Sequence, residues 1–211
     1  MNVKDLGAGV AWCAAVVAAA LLMPGSIFAK TTALDVPAKG GAWSALTWSN
    51  GAPVDGDTVI LNNNNSSSVT VENDTADTLA KIITGGKSGI TITGRDLTLT
   101  GDEGSSEKIG GGSYNYAFSN GVPLVIDVSV TVSADQLWHF DNDLTLNRDV
   151  TVKDGLKLGL FRIKDNPQYA LTFNGHLHAA NAYLKARVYA KNKVVFNKSI
   201  HVKSNPVVGT D

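Results

Sequence analysis

The sequence predicts an all-β fold, a right-handed parallel β-helix with an N-terminal cap. The first observation is a nine-residue unit: an apolar-x-apolar triplet, an Asn or Asp, two free positions and a second triplet. It occurs at residues 124–132, 144–152, 171–179 and 194–202. The second observation is that the units start 20, 27 and 23 residues apart. Variable coil lengths are typical of a β-helix, whereas a β-propeller repeats every ~40 residues.

The third observation is the period-two alternation inside each unit, which indicates strands with one buried face. In LTLNRDVTV (144–152), the four apolar residues are predicted to point inward and Thr145 and Thr151 outward. The two triplets are too short to form a sheet by themselves. They become stable when successive coils stack and each strand pairs with its equivalent in the next coil.

Upstream segments supply looser copies of the same unit. ITITGRDLTL (90–99) matches with one extra residue, and SVTVEND (68–74) and TLAKIIT (78–84) have the length and pattern of strands. NNNNSSS (62–68) reads as a polar connection. We therefore expect about six coils.

The N-terminus has the layout of a secretory signal peptide. An uncharged stretch at residues 6–23 is followed by the helix-breaking Pro24-Gly25 and then by the small residue Ala29. We expect cleavage after Ala29, so that residues 1–29 are removed. The alternative is an uncleaved membrane anchor, because 18 uncharged residues can just span a bilayer.

The composition agrees with an exported, folded protein. With 44% hydrophobic residues and a net charge of −1, the chain falls in the globular class. Its one cysteine, Cys13, lies in the predicted signal peptide. The mature chain then has no disulfide and depends on packing and backbone hydrogen bonds. The predicted localisation is secreted or cell surface.

Residues 30–61 are expected to form the cap and the first strand, with the solenoid coils in 62–211. Trp43 and Trp48 precede a turn-rich stretch and the strand TVIL. A solenoid needs a terminal cap over its first coil, and bulky aromatic side chains suit that position.

The string W-S-x-x-x-W-S-N-G-x-P-x-x-G-D-T-V-I-L at 43–61 resembles the start of secreted bacterial proteins with autotransporter-associated β-strand repeats. The ITITG…LTLTG segment at 90–101 is similar to their repeats. The resemblance implies a β-helical passenger region, often adhesin-like. Since that family usually continues into further coils and a membrane barrel, it also implies attachment to the outer membrane through a downstream region that this chain lacks.

One position of the unit carries a polar residue in every copy: Asp127, Asn147, Asn174 and Asn197. Stacked coils would place these side chains about 4.8 Å apart, in a ladder of amide hydrogen bonds. Asn and Asp are also good corner residues, and both explanations can hold at once. Neither explanation assigns them a catalytic role.

The Gly/Ser-rich stretch at 101–121 is predicted to be a loop that interrupts the coils. It carries Tyr114, Tyr116 and Phe118 at alternate positions. A projecting loop of this kind would stack aromatic rings on glycans. The alternative is an insertion whose aromatic side chains lie back on the solenoid surface, because alternate aromatics are a common strand pattern.

Two weak metal sites can be read from the sequence. Alignment of the units places His178 and His201 in one outward column, as for a shared metal ion, with no third ligand apparent. Asp141 and Asp143 form a D-x-D pair that suits calcium but lacks the rest of an EF-hand loop. A solvent-facing polar column and solvated corner carboxylates are the alternatives, and no metal or other cofactor is predicted.

Charge is distributed unevenly along the chain. Residues 30–149 carry 7 basic and 15 acidic residues, a net −8, and residues 150–211 carry 10 basic and 3 acidic, a net +7. The basic half would attract an anionic polysaccharide or a host or matrix surface. Its candidate ligand-binding residues are Lys185, Arg187, Lys191 and Lys193. The alternative is a solvated face whose lysines discourage strand pairing at sheet edges. No aromatic interleaving supports specific nucleic-acid binding.

The predicted function is non-enzymatic: a secreted or surface-exposed β-solenoid, adhesin-like, in contact with cells, matrix or glycans. One alternative is a carbohydrate-active β-helix enzyme, although no pair of acids occupies matching outward positions in neighbouring coils, as a glycosidase would need. The other alternative is a structural module that associates end to end.

Overall fold

The structure is a computed structural model that describes residues 29–109, 112–161, 169–187 and 193–201. These residues form twenty strands and one short 3-10 helix, Trp43–Ala45. In chain order the strands are β1 (Thr31–Asp35), β2 (Gly41–Ala42), β3 (Asp57–Asn63), β4 (Val69–Asn73), β5 (Thr78–Gly86), β6 (Ile90–Gly94), β7 (Leu97–Leu99), β8 (Asp102–Ile109), β9 (Gly112–Asn120), β10 (Leu124–Ile126), β11 (Val130–Val132), β12 (Gln136–Phe140), β13 (Leu144–Leu146), β14 (Val150–Val152), β15 (Lys157–Phe161), β16 (Ala170–Phe173), β17 (Leu177–His178), β18 (Tyr183–Arg187), β19 (Lys193–Phe196) and β20 (Ile200–His201).

The strands stack in parallel into a solenoid of about six turns, so the predicted fold class is confirmed. A seven-stranded sheet, in the order β19-β16-β13-β10-β6-β4-β2, forms face 1. A thirteen-stranded sheet forms the other two faces. Face 2 comprises the start of β5 followed by β7, β11, β14, β17 and β20. Face 3 comprises β1, β3, the rest of β5, β9, β12, β15 and β18. The long strand β5 joins the two faces because it pairs with β7 at one end and β9 at the other.

The register of the sheets reproduces the repeat read from the sequence. On face 1, Leu144 pairs with Leu124 on one side and Leu171 on the other, and Leu171 pairs with Val194. On face 2, Val150 pairs with Val130 of β11 on one side and with Leu177 of β17 on the other. The apolar residues of these triplets are buried from β10 to β17, and the middle residues point outward. Equivalent residues of successive coils therefore share one continuous core.

The extra residue of the 90–99 unit lies at the end of β6, next to the corner that leads to β7. Gly94 occupies this position with φ +100°, a left-handed conformation that favours glycine. A Cβ at this position would lie 2.3 Å from the backbone oxygen of Asn73 in the preceding coil. The extra residue is therefore accommodated without a shift in the pairing of β6 and β7 with the strands of the neighbouring coils.

The segment predicted as the cap also contributes strands to the solenoid. β1 pairs with β3, and β3 with β5, so this part of the chain already extends face 3. Trp43 is fully buried and meets Trp48 edge to face at 5.5 Å. The Trp48 Nε1–H donates to the Trp43 carbonyl oxygen at 2.9 Å, which satisfies its polar atom inside the core.

The stretch at 101–121, predicted as a loop, contains the two strands β8 and β9. β8 and β9 are antiparallel partners, and β9 is also a regular strand of face 3 between β5 and β12. Phe118, expected on a ligand-binding loop, is fully buried and lies 5.0 Å from Trp138 in an edge-to-face contact. The alternation of aromatic residues, a common strand pattern, is that of β9. Tyr114 and Tyr116 lie on β9, and their side chains fall outside the described residues.

The predicted signal peptide lies almost wholly in residues 1–28, outside the described part of the chain, and stays a prediction. Within the described ranges, no helix has the length and apolar character needed to cross a bilayer.

Candidate functional site

Three histidines meet on face 2, where the corner before β17 stacks on the next coil. His176 lies in that corner, His178 on β17 and His201 on β20, in register with His178. The ring centroids of His178 and His201 are 5.1 Å apart with nearly parallel planes. The His176 ring lies 5.8 Å from His178 and 5.5 Å from His201. These residues and Ser199 are called the histidine cluster below.

Ser199 lies between the rings of His176 and His201. Its Oγ is 2.9 Å from His176 Nδ1 and 3.0 Å from His201 Nε2, both within hydrogen-bonding distance. Ring nitrogens of two coils thus face one oxygen atom. The hydroxyl can donate to one ring nitrogen and accept from the other, so it bridges the two imidazoles when at least one of the facing nitrogens carries a proton.

Asp149 borders the cluster on the side of the preceding coil. Its Oδ1 accepts the His176 backbone N–H at 2.8 Å, and its Oδ2 lies 3.5 Å from His178 Nε2. The backbone hydrogen bond from His176, and after it the side chain of His178, hold the pKa of Asp149 below its usual value. Asp149 is therefore an anion at neutral pH, next to two imidazoles.

The sequence placed two of the three histidines in one column, and the structure pairs them. His176 lies in the corner two residues before that column, so the strand alternation does not align it with the other two. As the side chains stand, no group of three or more His, Cys, Asp or Glu within the described residues is arranged to hold a metal ion.

The two aspartates considered for calcium take part in other contacts. Asp143 Oδ1 accepts the backbone N–H of Ala170, in the next coil, at 2.7 Å. Asp141 Oδ1 lies 3.8 Å from His139 Nε2. The structure therefore does not bring these two carboxylates together on a shared partner.

Other aspartates in the corners also accept backbone N–H groups of the next coil. Asp96 accepts the Ser129 N–H at 2.9 Å, and Asp135 accepts the Lys157 N–H at 2.8 Å. Asp55 accepts two consecutive backbone N–H groups of the next coil. Each carboxylate satisfies a donor that the turn leaves without a sheet partner, which is a structural role.

The polar column at the corner between faces 1 and 2 forms side-chain hydrogen bonds along the stack. The Asn174 amide donates to Asn147 at 2.9 Å, and the Asn197 amide donates to Asn174 at 2.7 Å. Asp127 instead accepts from the Arg148 guanidinium at 2.9 Å. The ladder predicted from the sequence therefore runs through the three asparagines, and the aspartate is joined to the next coil by an ion pair.

The outer surface of face 2 is a column of threonines that ends in histidines. In register, it comprises Thr78, Thr98, Thr131, Thr151, His178 and His201. The β-branched threonine suits an exposed strand position, so its recurrence needs only strand propensity. Strand propensity does not explain the histidines at the last two described positions of the column, His178 and His201.

Most of the predicted basic ligand-binding residues are only partly described. Lys193 begins β19 and is exposed. Lys185 and Arg187 lie on β18 of face 3, with side chains outside the described residues, and Lys191 lies outside them altogether.

Neither a protein-family model, nor a curated protein, nor a solved structure matches this chain.

Proposed function

We propose that the chain is a non-enzymatic, exported β-solenoid whose outer faces bind an extended partner at a cell or matrix surface. The observation that carries the proposal is the use of the corner carboxylates. Asp55, Asp96, Asp135, Asp143 and Asp149 each accept backbone N–H groups of the next coil. Acids that hold the coils together are poorly suited to act as a general acid or a nucleophile.

The chemical class of partner follows from charge. The net charge of +7 over residues 150–211 favours an anionic polymer, and the net −8 over residues 30–149 disfavours one. A polyanion would therefore lie along the C-terminal coils. An anionic polysaccharide of a cell or matrix surface has this chemistry.

The resemblance to passenger regions adds a cellular location to the proposal. Export through the predicted signal peptide, with a downstream region that attaches to the outer membrane, would place the basic coils where surface polysaccharide is met. In this proposal the adhesin-like role rests on the basic coils.

The test is binding of the purified protein to dextran sulfate in a salt series. Charge-driven binding falls steeply with salt, because counterions are released on association. The variant Lys185→Gln/Arg187→Gln/Lys193→Gln is expected to bind at least about tenfold more weakly, since three cations are removed from the basic half.

The matched control is Lys39→Gln/Lys87→Gln, which removes two exposed lysines from the acidic half. It is expected to bind like the wild type. Equal losses in both variants, or binding that does not respond to salt, would refute the assignment of the polyanion to the C-terminal coils.

A further inference from the structure

The dimensions of the histidine cluster match a known ligand arrangement. Three imidazoles around one tetrahedral zinc ion, with Zn–N about 2.1 Å, have ring centroids roughly 5 Å apart. The three separations in the cluster are 5.1, 5.5 and 5.8 Å. As they stand, the three rings therefore have the centroid separations of a three-histidine metal site, although their nitrogens do not all face one point.

The ring nitrogens are partly converged as well. His176 Nδ1 and His201 Nε2 lie 2.9 and 3.0 Å from the same Ser199 Oγ. A metal ion near that point needs each nitrogen to approach by about 0.9 Å, to reach a bond of about 2.1 Å. Ser199 is exposed and has a small side chain, so its hydroxyl can rotate away.

The third ring faces Asp149 rather than this point. His178 is partly exposed and parallel to His201, so its ring must turn about χ2 to aim a nitrogen at the same position. That torsion is soft for a histidine. The movement would break the 3.5 Å approach to Asp149 and the parallel stacking on His201.

We infer that the histidine cluster is a binding site for a divalent transition metal ion of the zinc class, formed when the rings of His176, His178 and His201 turn inward. Neutral imidazole is the preferred nitrogen ligand of zinc, copper and nickel, whereas calcium and magnesium prefer oxygen. Asp149 is anionic, lies beside the cluster and accepts the His176 backbone N–H, so it would offset the ion's charge. A fourth position is left for water.

Such an ion would join two coils. His176 and His178 belong to the coil of β16 and β17, whereas His201 belongs to the coil of β19 and β20. Ion binding would therefore stabilise the attachment of β19 and β20, since a ligand that binds only the folded state adds to its stability.

The experiment is calorimetric titration of the full chain with zinc chloride at neutral pH, followed by thermal melting with and without zinc. We expect one ion per chain and a melting temperature that rises with zinc. His176→Asn, His178→Asn and His201→Asn are each expected to weaken binding at least about tenfold, since each removes a first ligand.

His139→Asn is the control, because His139 lies on β12 of face 3. It should leave zinc binding unchanged, and circular dichroism would verify the fold of every variant. Ser199→Ala should bind at least as tightly as the wild type, since the hydroxyl only occupies the central position. Absence of saturable binding, equal binding by the histidine-cluster variants, or loss of binding in Ser199→Ala would each overturn the inference.

Discussion

The inner coils and the last described coil carry equivalent residues in very different surroundings. Phe173 and Phe196 are paired in register, yet Phe173 is 1% exposed and Phe196 only partly buried. Leu177 and Ile200 are likewise paired, and Ile200 is 39% exposed. The sequence of a unit makes it able to stack, but its burial depends on having a neighbour on each side. Stability in a solenoid is accordingly a property of the interfaces between coils.

A second contrast concerns how the corners are closed. In the N-terminal half, Asn73 is fully buried, donates to the Ala76 carbonyl oxygen and accepts the N–H groups of Thr75 and Ala76. Its amide closes a turn of its own coil. In the C-terminal half, Asn174 binds the asparagines of the coils on both sides. Asn73 thus stabilises a turn within one coil, and Asn174 stabilises the interface between coils.

The largest expected effect comes from truncation of the two stacked phenylalanines. Phe173 lies between Trp138 and Phe196, with ring centroids at 6.4 and 4.9 Å. Phe173→Ala should lower the free energy of unfolding by about 3–5 kcal/mol, as for a fully buried aromatic residue. Phe196→Ala should cost roughly 1–2 kcal/mol, because it buries less apolar area. Urea unfolding measures both, and equal losses would contradict the dependence on neighbours.

Close contact between coils predicts a difference between two glycines. A Cβ at Gly175 would lie 2.2 Å from the carbonyl carbon of Arg148 in the coil before it. Gly175→Ala should therefore destabilise by about 2–4 kcal/mol, since the backbones must separate. At Gly155, with φ +78°, a Cβ meets nothing within 4 Å.

Gly155→Ala is the control for the effect of a β-carbon alone. It should cost only about 1 kcal/mol, from the left-handed backbone conformation. If the two variants unfold at the same urea concentration, packing between coils is looser than these distances require.

The two uses of asparagine can be separated by substitution. Asn73→Ala should cost about 2–3 kcal/mol, because it leaves buried backbone groups of its turn without partners. Asn174→Ala should cost about 1 kcal/mol, because its groups are partly solvated. A larger loss for Asn174 would mean that the ladder, rather than the turns, holds the coils together. Chemical denaturation of the two single variants decides between these outcomes.

The smallest expected effect is the response to acid. The Ser44 side chain, by hydrogen bonding, holds the pKa of Asp74 below its usual value, and the His176 backbone N–H does so for Asp149. A lowered pKa means that each carboxylate stabilises the fold above its unfolded pKa of about 3.9, and that this contribution is lost as the pH falls below that value. The urea midpoint should fall between about pH 5 and pH 3, and by less in Asp149→Asn. If the difference in urea midpoint between the wild type and Asp149→Asn stays the same from about pH 5 to pH 3, the hydrogen bond from the His176 N–H to Asp149 does not stabilise the fold.

The period-two triplets and their variable offsets were enough to predict the β-helix and its register, because side-chain alternation decides which face is buried. The asparagine ladder followed from the same alignment. The strand at 112–120 did not follow from this alignment, because the stretch is rich in Gly and Ser and its alternation is interrupted by a bulge at Ala117. His176 was not among the predicted metal ligands, since it lies in a corner, outside the strand columns in which His178 and His201 align.

Hydrogen exchange of the native protein, followed by mass spectrometry strand by strand, tests most directly whether each coil is stabilised by its neighbours. β10 and β13, covered on both sides, should exchange most slowly, and β19 and β20 fastest, because local opening begins where the fewest apolar contacts are lost. Exchange of β19 and β20 as slow as that of β13 would contradict the dependence of stability on neighbouring coils.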